Sequence, residues 1–170
     1  MINFLEIKKH FHEYHNSKSS WAYFYCLNVK DKPEVYKLIT DSYWACQYCR
    51  DIKDRPEVAK YITDSSDAYC YCLFIEDRPE IRKYITDSYD AYRYCTEVKD
   101  RPSIRKHITY PYWACNYCID IKDRPEVRKY ITSSEDAYNY CRYVKDRPSI
   151  RQYITDRREI KYYQAWKDEQ

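Results

Sequence analysis

A proline recurs every 23 residues along this chain: Pro33, Pro56, Pro79, Pro102, Pro125 and Pro148. Six alanines (Ala22, Ala45, Ala68, Ala91, Ala114 and Ala137) keep the same period. So do six cysteines, Cys26, Cys49, Cys72, Cys95, Cys118 and Cys141. A strict period of this length means one structural unit made repeatedly and stacked, because so short a unit cannot bury a core alone. The phrase "DRPEVRKYIT" at 123–132 states the unit most fully, with near copies beginning at 54, 77, 100 and 146. A divergent copy, "DKPEVYKLIT", begins at 31.

Within a unit, "WACQYCRDIK" places Ala45, Tyr48, Cys49 and Ile52 at steps 0, 3, 4 and 7, one face of an α-helix. In the second segment, "DRPEVAKYIT", Val58, Tyr61 and Ile62 fall at steps 0, 3 and 4. Asp54 followed by Glu57 reads as an N-cap with its capping-box partner, and Pro56 then lies in the first turn, where a missing N–H costs nothing. Thr63-Asp64-Ser65 ends that helix and supplies oxygens to cap the next. Each unit is thus expected to hold two helices of about nine or ten residues, near 14 Å each. Helices so short gain their stability from neighbours.

The predicted fold class is all-α, an α-solenoid of about six two-helix repeats with helical caps at both ends. As a single domain over 1–170, it divides into an N-terminal cap at 1–18, the repeats at 19–156 and a C-terminal cap at 157–170. "EIKKHF" at 6–11 echoes the second helix, with Ile7 and Phe11 in core positions. Ile160 and Tyr163 begin a seventh first helix, and Gln164 and Lys167 then replace its core residues, which suits a cap facing water. Tyr, Ile, Val and Thr also favour strands. A β-solenoid would bring glycine turns and two-residue alternation, and this chain has no glycine at all.

Composition excludes several functions. A formal charge of +3, with 34% charged residues, gives a solvated, mildly basic surface, short of a dedicated nucleic-acid coat. No apolar run approaches the roughly 18–20 residues of a membrane span, so no membrane partner is expected. The first twenty residues lack a secretory apolar stretch, and nine cysteines do not make a fully paired disulfide framework. A reducing cytoplasm is the expected setting.

The pattern Ala-x-x-Tyr-small, then an aliphatic residue, then Asp-Arg-x-Glu-Val resembles the short helical hairpin repeats of a domain family of unknown function. That family occurs in viral, phage and intracellular-bacterial proteins, and alternates an "ALxYA"-like helix with a "DREVVLxAV"-like helix. Residues 19–156 follow this style, as in "DAYRYCTEVKDRPSIRKHI" at 90–108. The period here is slightly shorter, and cysteine stands where alanine is usual. The resemblance implies an α-solenoid in a virus–host setting, and the host cytoplasm if viral. It transfers no catalytic residue.

Two surfaces are candidates for binding. Steps 2, 5 and 6 of the first helix vary from copy to copy and point away from the core. Phe24, Leu27, Leu73 and Phe74 are apolar there, and Arg93 and Tyr143 occupy equivalent steps. These six residues are the candidate protein-binding set. Drift on an unused face is the plain alternative. On the second helix Arg82, Lys83, Arg105, Lys106, Arg128, Lys129 and Arg151 recur, preceded by Lys37 and Lys60. Stacked about 10 Å apart, they would form a basic ladder, which with tyrosine stacking could hold a nucleic acid or nucleotide. A solvated face with local ion pairs is the alternative.

Cys46-x-x-Cys49 and Cys115-x-x-Cys118 have the spacing of zinc ligands. The second cysteine of each pair lies on the core stripe, however, so buried structural thiols are expected. His12 and His15 share a helical face beside His10, with no recurring carboxylate or thiol, and read as a polar cap. Without glycine no phosphate loop can form, and no nucleophile motif appears. The expectation is a non-enzymatic scaffold with neither cofactor nor metal. Its macromolecular partner is expected to be a protein, and nothing in the sequence sets its oligomeric state.

Overall fold

The computed structural model describes residues 17–170, so Ile7, Phe11, His10, His12 and His15 lie outside the described residues. Among those described there are thirteen helices and no strand. The long ones are α1 (Lys18–Asn28), α3 (Ser42–Asp51), α5 (Ser65–Phe74), α7 (Ser88–Glu97), α9 (Pro111–Asp120), α11 (Ser134–Tyr143) and α13 (Arg157–Asp168). Between them stand six single turns: α2 (Pro33–Tyr36), α4 (Pro56–Ala59), α6 (Pro79–Arg82), α8 (Pro102–Arg105), α10 (Pro125–Arg128) and α12 (Pro148–Arg151). The all-α, two-helix repeat of solenoid type is therefore what the chain folds into. Packing divides it into two compact units, Met1–Ile85 and Thr86–Gln170. Within each unit every long helix packs against the next long one and against its own short turn.

The core is the stripe that the period predicts. Ala45, Tyr48, Val58 and Ile62 are wholly buried, as are Ala114, Tyr117, Val127 and Ile131 in the second unit. The periodic cysteines are buried too, each beside the tyrosine that precedes it. Long helices end without glycine because their C-caps stay at negative φ: Ile52 has φ −119° and ψ −68°, and its N–H donates to the Tyr48 carbonyl. No described residue has a positive φ, so the left-handed ending for which glycine is usually needed is absent from them.

The second helix is shorter than its periodicity suggests. After Pro56–Ala59 the hydrogen bonds tighten, with Tyr61 N–H donating to Val58 O and Ile62 N–H to Ala59 O, both at 3.0 Å. This three-residue spacing still turns Ile62 into the core. The next two N–H groups are then taken from outside: Thr63 and Asp64 donate to Ser42 Oγ, at the start of the preceding long helix, at 3.1 and 3.0 Å. Ser88 and Ser134 accept in the same way in the second unit. The helix stops because its continuation is bound to its neighbour.

The caps divide along the same line. Asp64 caps α5 by accepting from Ser66 and Asp67 N–H, as the Thr-Asp-Ser reading requires. Asp54, by contrast, is not a cap. The N-cap of α4 is Arg55, with no side-chain cap bond, and the Asp54 carboxylate accepts from Tyr71 Oη at 3.1 Å and Arg78 Nη2 at 2.5 Å in the following repeat.

Candidate binding surface

The aspartate, arginine and proline that open the repeated phrase each have a structural duty, and this decides which residues remain for binding. Tyr48 Oη donates to Asp31 at 2.7 Å and accepts from Arg55 Nε at 2.8 Å, while Arg55 Nη2 reaches Asp31 at 2.6 Å. The phenol is fully buried, so both of its hydrogen-bonding roles must be met inside the protein. One aspartate, the tyrosine 17 residues on and the arginine 24 residues on thus clasp adjacent repeats. The same three residues meet at Asp54, Tyr71 and Arg78, at Asp100, Tyr117 and Arg124, and at Asp123, Tyr140 and Arg147. In the last of these Arg147 Nε also donates to Tyr140 at 2.9 Å, whereas Arg78 Nε turns to Glu76 and Arg124 Nε is left without a partner. Burial pushes the Tyr117 hydroxyl up to about 12. Burial also works to raise Asp100, but the hydrogen bonds from Arg105 and Tyr117 outweigh it and hold the carboxylate below its usual range.

The expected basic ladder is consequently half internal. Arg82 Nη1 lies 2.6 Å from Asp77, Arg105 Nη1 2.9 Å from Asp100, Arg128 Nη1 2.6 Å from Asp123 and Arg151 Nη2 2.7 Å from Asp146. Each arginine folds back five residues to a carboxylate that is itself partly desolvated, and Arg105 also reaches Glu126 at 3.1 Å. The lysines of the ladder stay in solvent, Lys83, Lys106 and Lys129 being exposed as are Lys37 and Lys60, and Arg151 is exposed as well. The Lys83 and Lys129 amines lie over the rings of Tyr84 and Tyr130.

The apolar candidates are not continuous either. In the first unit Phe24 is half-buried against Tyr23 and Trp44, at 4.9 and 5.5 Å between ring centroids, while Leu27 is exposed. Leu73 is half-buried and Phe74 is 62% exposed on α5. Between them α3 presents Gln47, Arg50 and Asp51, with Arg50 paired to Asp51 at 2.8 Å. In the second unit Arg93 pairs with Glu97 at 3.1 Å and lies over the Tyr89 ring. Ile119 and Tyr143 are exposed on α9 and α11, and Arg142 lies over the Tyr143 ring.

A feature unforeseen in the sequence stands at the N-terminal ends of the long helices. Trp44 gathers Tyr23, Phe24 and Tyr43 within 5.5 Å of its ring. Trp113 gathers Tyr89, Tyr92 and Tyr112 within 5.2 Å. Each cluster is tied down by a phenol, Tyr23 to Asp51 at 2.7 Å and Tyr92 to Asp120 at 2.6 Å. Tyr43, Tyr89 and Tyr112 remain exposed on the clusters. Beside Trp113 an open depression of about 550 Å³ is bordered by Tyr89, Tyr110, Asp87 and Ser88. The signal was present in the sequence: tryptophan precedes the invariant alanine at 21, 44 and 113, where the other copies have aspartate.

The periodic cysteines and Cys46 and Cys115 are buried, and Cys70 is half-buried. Burial raises Cys46, Cys49, Cys95 and Cys115 to about 12, which keeps them protonated, and Cys46 and Cys115 Sγ donate to the Asp67 and Asp136 carbonyls. Among the described residues no group of three His, Cys, Asp or Glu side chains could hold a metal ion. Nor is any described helix long and apolar enough to cross a membrane. No protein-family model, curated protein or solved structure matches the chain. Fold and surface together define the class alone: an α-helical repeat protein whose invariant polar residues fasten repeat to repeat.

Proposed function

We propose that this protein is a non-enzymatic scaffold that holds a protein partner on the variable faces of its long helices. The observation that carries this reading is the division of labour between positions. Residues common to the repeats are consumed by the core and the clasps, whereas the exposed apolar and aromatic side chains change from copy to copy. Phe74, Tyr110 and Tyr143 are each more than 60% exposed, and Tyr43 and Tyr112 about half. Large side chains left in water on a rigid helical array are the raw material of interface anchors. The likeness of the repeats to those of viral, phage and intracellular-bacterial proteins makes a cytoplasmic host protein the first partner class to seek.

Binding of nucleic acid has less support, since each arginine of the ladder is paired with a carboxylate and, Arg151 aside, only its lysines are exposed to phosphate. Capture from a cell lysate separates the two readings. Phe74→Glu with Tyr143→Glu should abolish recovery of the partner and leave the helical spectrum unchanged. Loss of binding in Lys83→Glu with Lys129→Glu instead, together with a steep fall in affinity with salt, would replace the protein partner by a nucleic acid.

A further inference from the structure

Five residues after the repeated aspartate, the last four repeats carry an arginine that pairs with it: Arg82, Arg105, Arg128 and Arg151. The first repeat carries Tyr36, whose buried ring packs 5.9 Å from Tyr48 under the Arg55 guanidinium and fills the place. The second carries Ala59, and nothing replaces the missing side chain. There the first unit has a half-open cavity of about 190 Å³, bordered by Ala59, Lys60, Arg78, Glu80, Ile81 and Tyr84.

Two periods further on, the counterparts of these residues in the second unit are Arg105, Lys106, Arg124, Glu126, Val127 and Tyr130. In that setting the Arg105 side chain is buried, with Nη1 donating to both Asp100 oxygens at 2.9 Å and Nε to Glu126 at 3.1 Å. The counterparts of those acceptors are both retained in the first unit: Glu80 borders the cavity, and Asp54, five residues before Ala59, also accepts from Tyr71 and Arg78. The neighbouring cations do not forbid a guanidinium, because Lys60, Arg78 and Lys83 at the cavity have Lys106, Arg124 and Lys129 as counterparts in the unit that seats Arg105. A planar fork of N–H donors suits two carboxylates set in this way, and an ammonium does not reproduce it.

We infer that the cavity at Ala59 is a guanidinium-binding site, in which Asp54 and Glu80 receive an external arginine-type group where the second unit seats its own Arg105. This site is separate from the aromatic faces and stands whether or not they bind a protein. The group has two possible sources, a free alkylguanidinium metabolite or an arginine side chain presented by another protein.

Ethylguanidinium is the matching probe, since the Ala59 methyl already supplies the first carbon of an arginine side chain. Titrated into the full chain, it should shift the Ala59 and Ile81 methyl resonances saturably, with ethylammonium at least tenfold weaker. Ala59→Arg should fill the cavity, raise the melting temperature and remove the response. A blocked tripeptide with central arginine, binding at least as well as ethylguanidinium, assigns the site to protein arginines. A tripeptide that is excluded while ethylguanidinium binds assigns it to a free ligand. Equal shifts with ethylguanidinium and ethylammonium, no saturation with either probe, or an undiminished response in Ala59→Arg would overturn the inference.

Discussion

The clasps fasten the same buried tyrosine with different numbers of charges, and the added arginine appears already at Asp77 of the first unit, which Arg82 meets at 2.6 Å. In the first unit, Asp31 and Asp54 each hold one arginine and one tyrosine from the following repeat. In the second, Asp100 and Asp123 hold a further arginine from their own repeat, Arg105 and Arg128, whose side chains are largely buried. The difference shows that tyrosine and the distant arginine are sufficient for the clasp. The added arginine makes the carboxylate indispensable, because a buried guanidinium cannot be left without its partner.

The largest effect should therefore separate equivalent aspartates. Asp100→Ala leaves the buried Arg105 with Glu126, itself largely exposed, as its remaining carboxylate and should cost about 3 kcal/mol in urea denaturation. Asp54→Ala should cost about 1–2 kcal/mol, since it loses hydrogen bonds to charged partners while Arg78 keeps Glu76 at 2.6 Å. Equal losses would mean that Arg105 does not depend on Asp100.

Next comes the tyrosine that the two kinds of clasp share. Tyr117→Phe and Tyr71→Phe should each cost about 1 kcal/mol, because the ring still fills the core and only the hydroxyl is lost. A markedly larger loss in either unit would show that the phenol organises more than one carboxylate there.

Why the clasps escaped sequence reading is a matter of range. The stripe of Ala45, Tyr48 and Cys49 and the Thr63-Asp64-Ser65 junction were legible because their partners lie within a turn or two of helix. Asp54, followed by proline and Glu57, fits a local capping box equally well, but the true partners of Asp54 are 17 and 24 residues away. The shortness of the second helix was hidden for the same reason, since Ser42 interrupts it from the preceding repeat. Of the candidate surface, Leu27, Phe74 and Tyr143 are exposed as read, whereas Phe24 and Leu73 are half-buried. Arg82, Arg105 and Arg128 were read as an outward basic face, but the carboxylates five residues earlier draw them inward, and Arg105 is buried. The aromatic clusters went unread because Trp44 and Trp113 stand just ahead of the stripe that defines the period.

Acid should sharpen the contrast between the units. Asp31, Asp100 and Asp123 all lie below the usual carboxylate range, because hydrogen bonds from arginine and tyrosine outweigh the effect of burial. A carboxylate depressed on folding contributes stability that is fully present above its unfolded value and disappears as pH falls through its folded one. Far-ultraviolet circular dichroism should thus show stability declining from about pH 5 downward. Asp100→Ala should decline less steeply than the native chain. Asp136, which burial raises, works in the opposite sense and should soften the decline slightly. Identical acid profiles for the variant and the native chain would remove Asp100 from the account.

The smallest expected effect is a gain. Among the described long helices α9 alone starts from a tyrosine, Tyr110, and like α13 it has no side-chain cap bond at its N-terminus. Tyr110→Asp restores the residue that caps α5 and α7, and should add about 0.5–1 kcal/mol. No gain would mean that Pro111, which already removes one N–H donor, has left little for a cap to do.

The central claim is that the repeated aspartates act as charged clasps between repeats, whereas those at the Thr-Asp-Ser junctions act as caps. Aspartate-to-asparagine exchange tests it directly, since asparagine caps a helix as well as aspartate but cannot neutralise an arginine. Measured by urea denaturation, Asp64→Asn should change stability by no more than a few tenths of a kcal/mol, and Asp100→Asn should lose about 2 kcal/mol or more. An Asp100→Asn protein as stable as the native chain would contradict the clasp and return that carboxylate to capping.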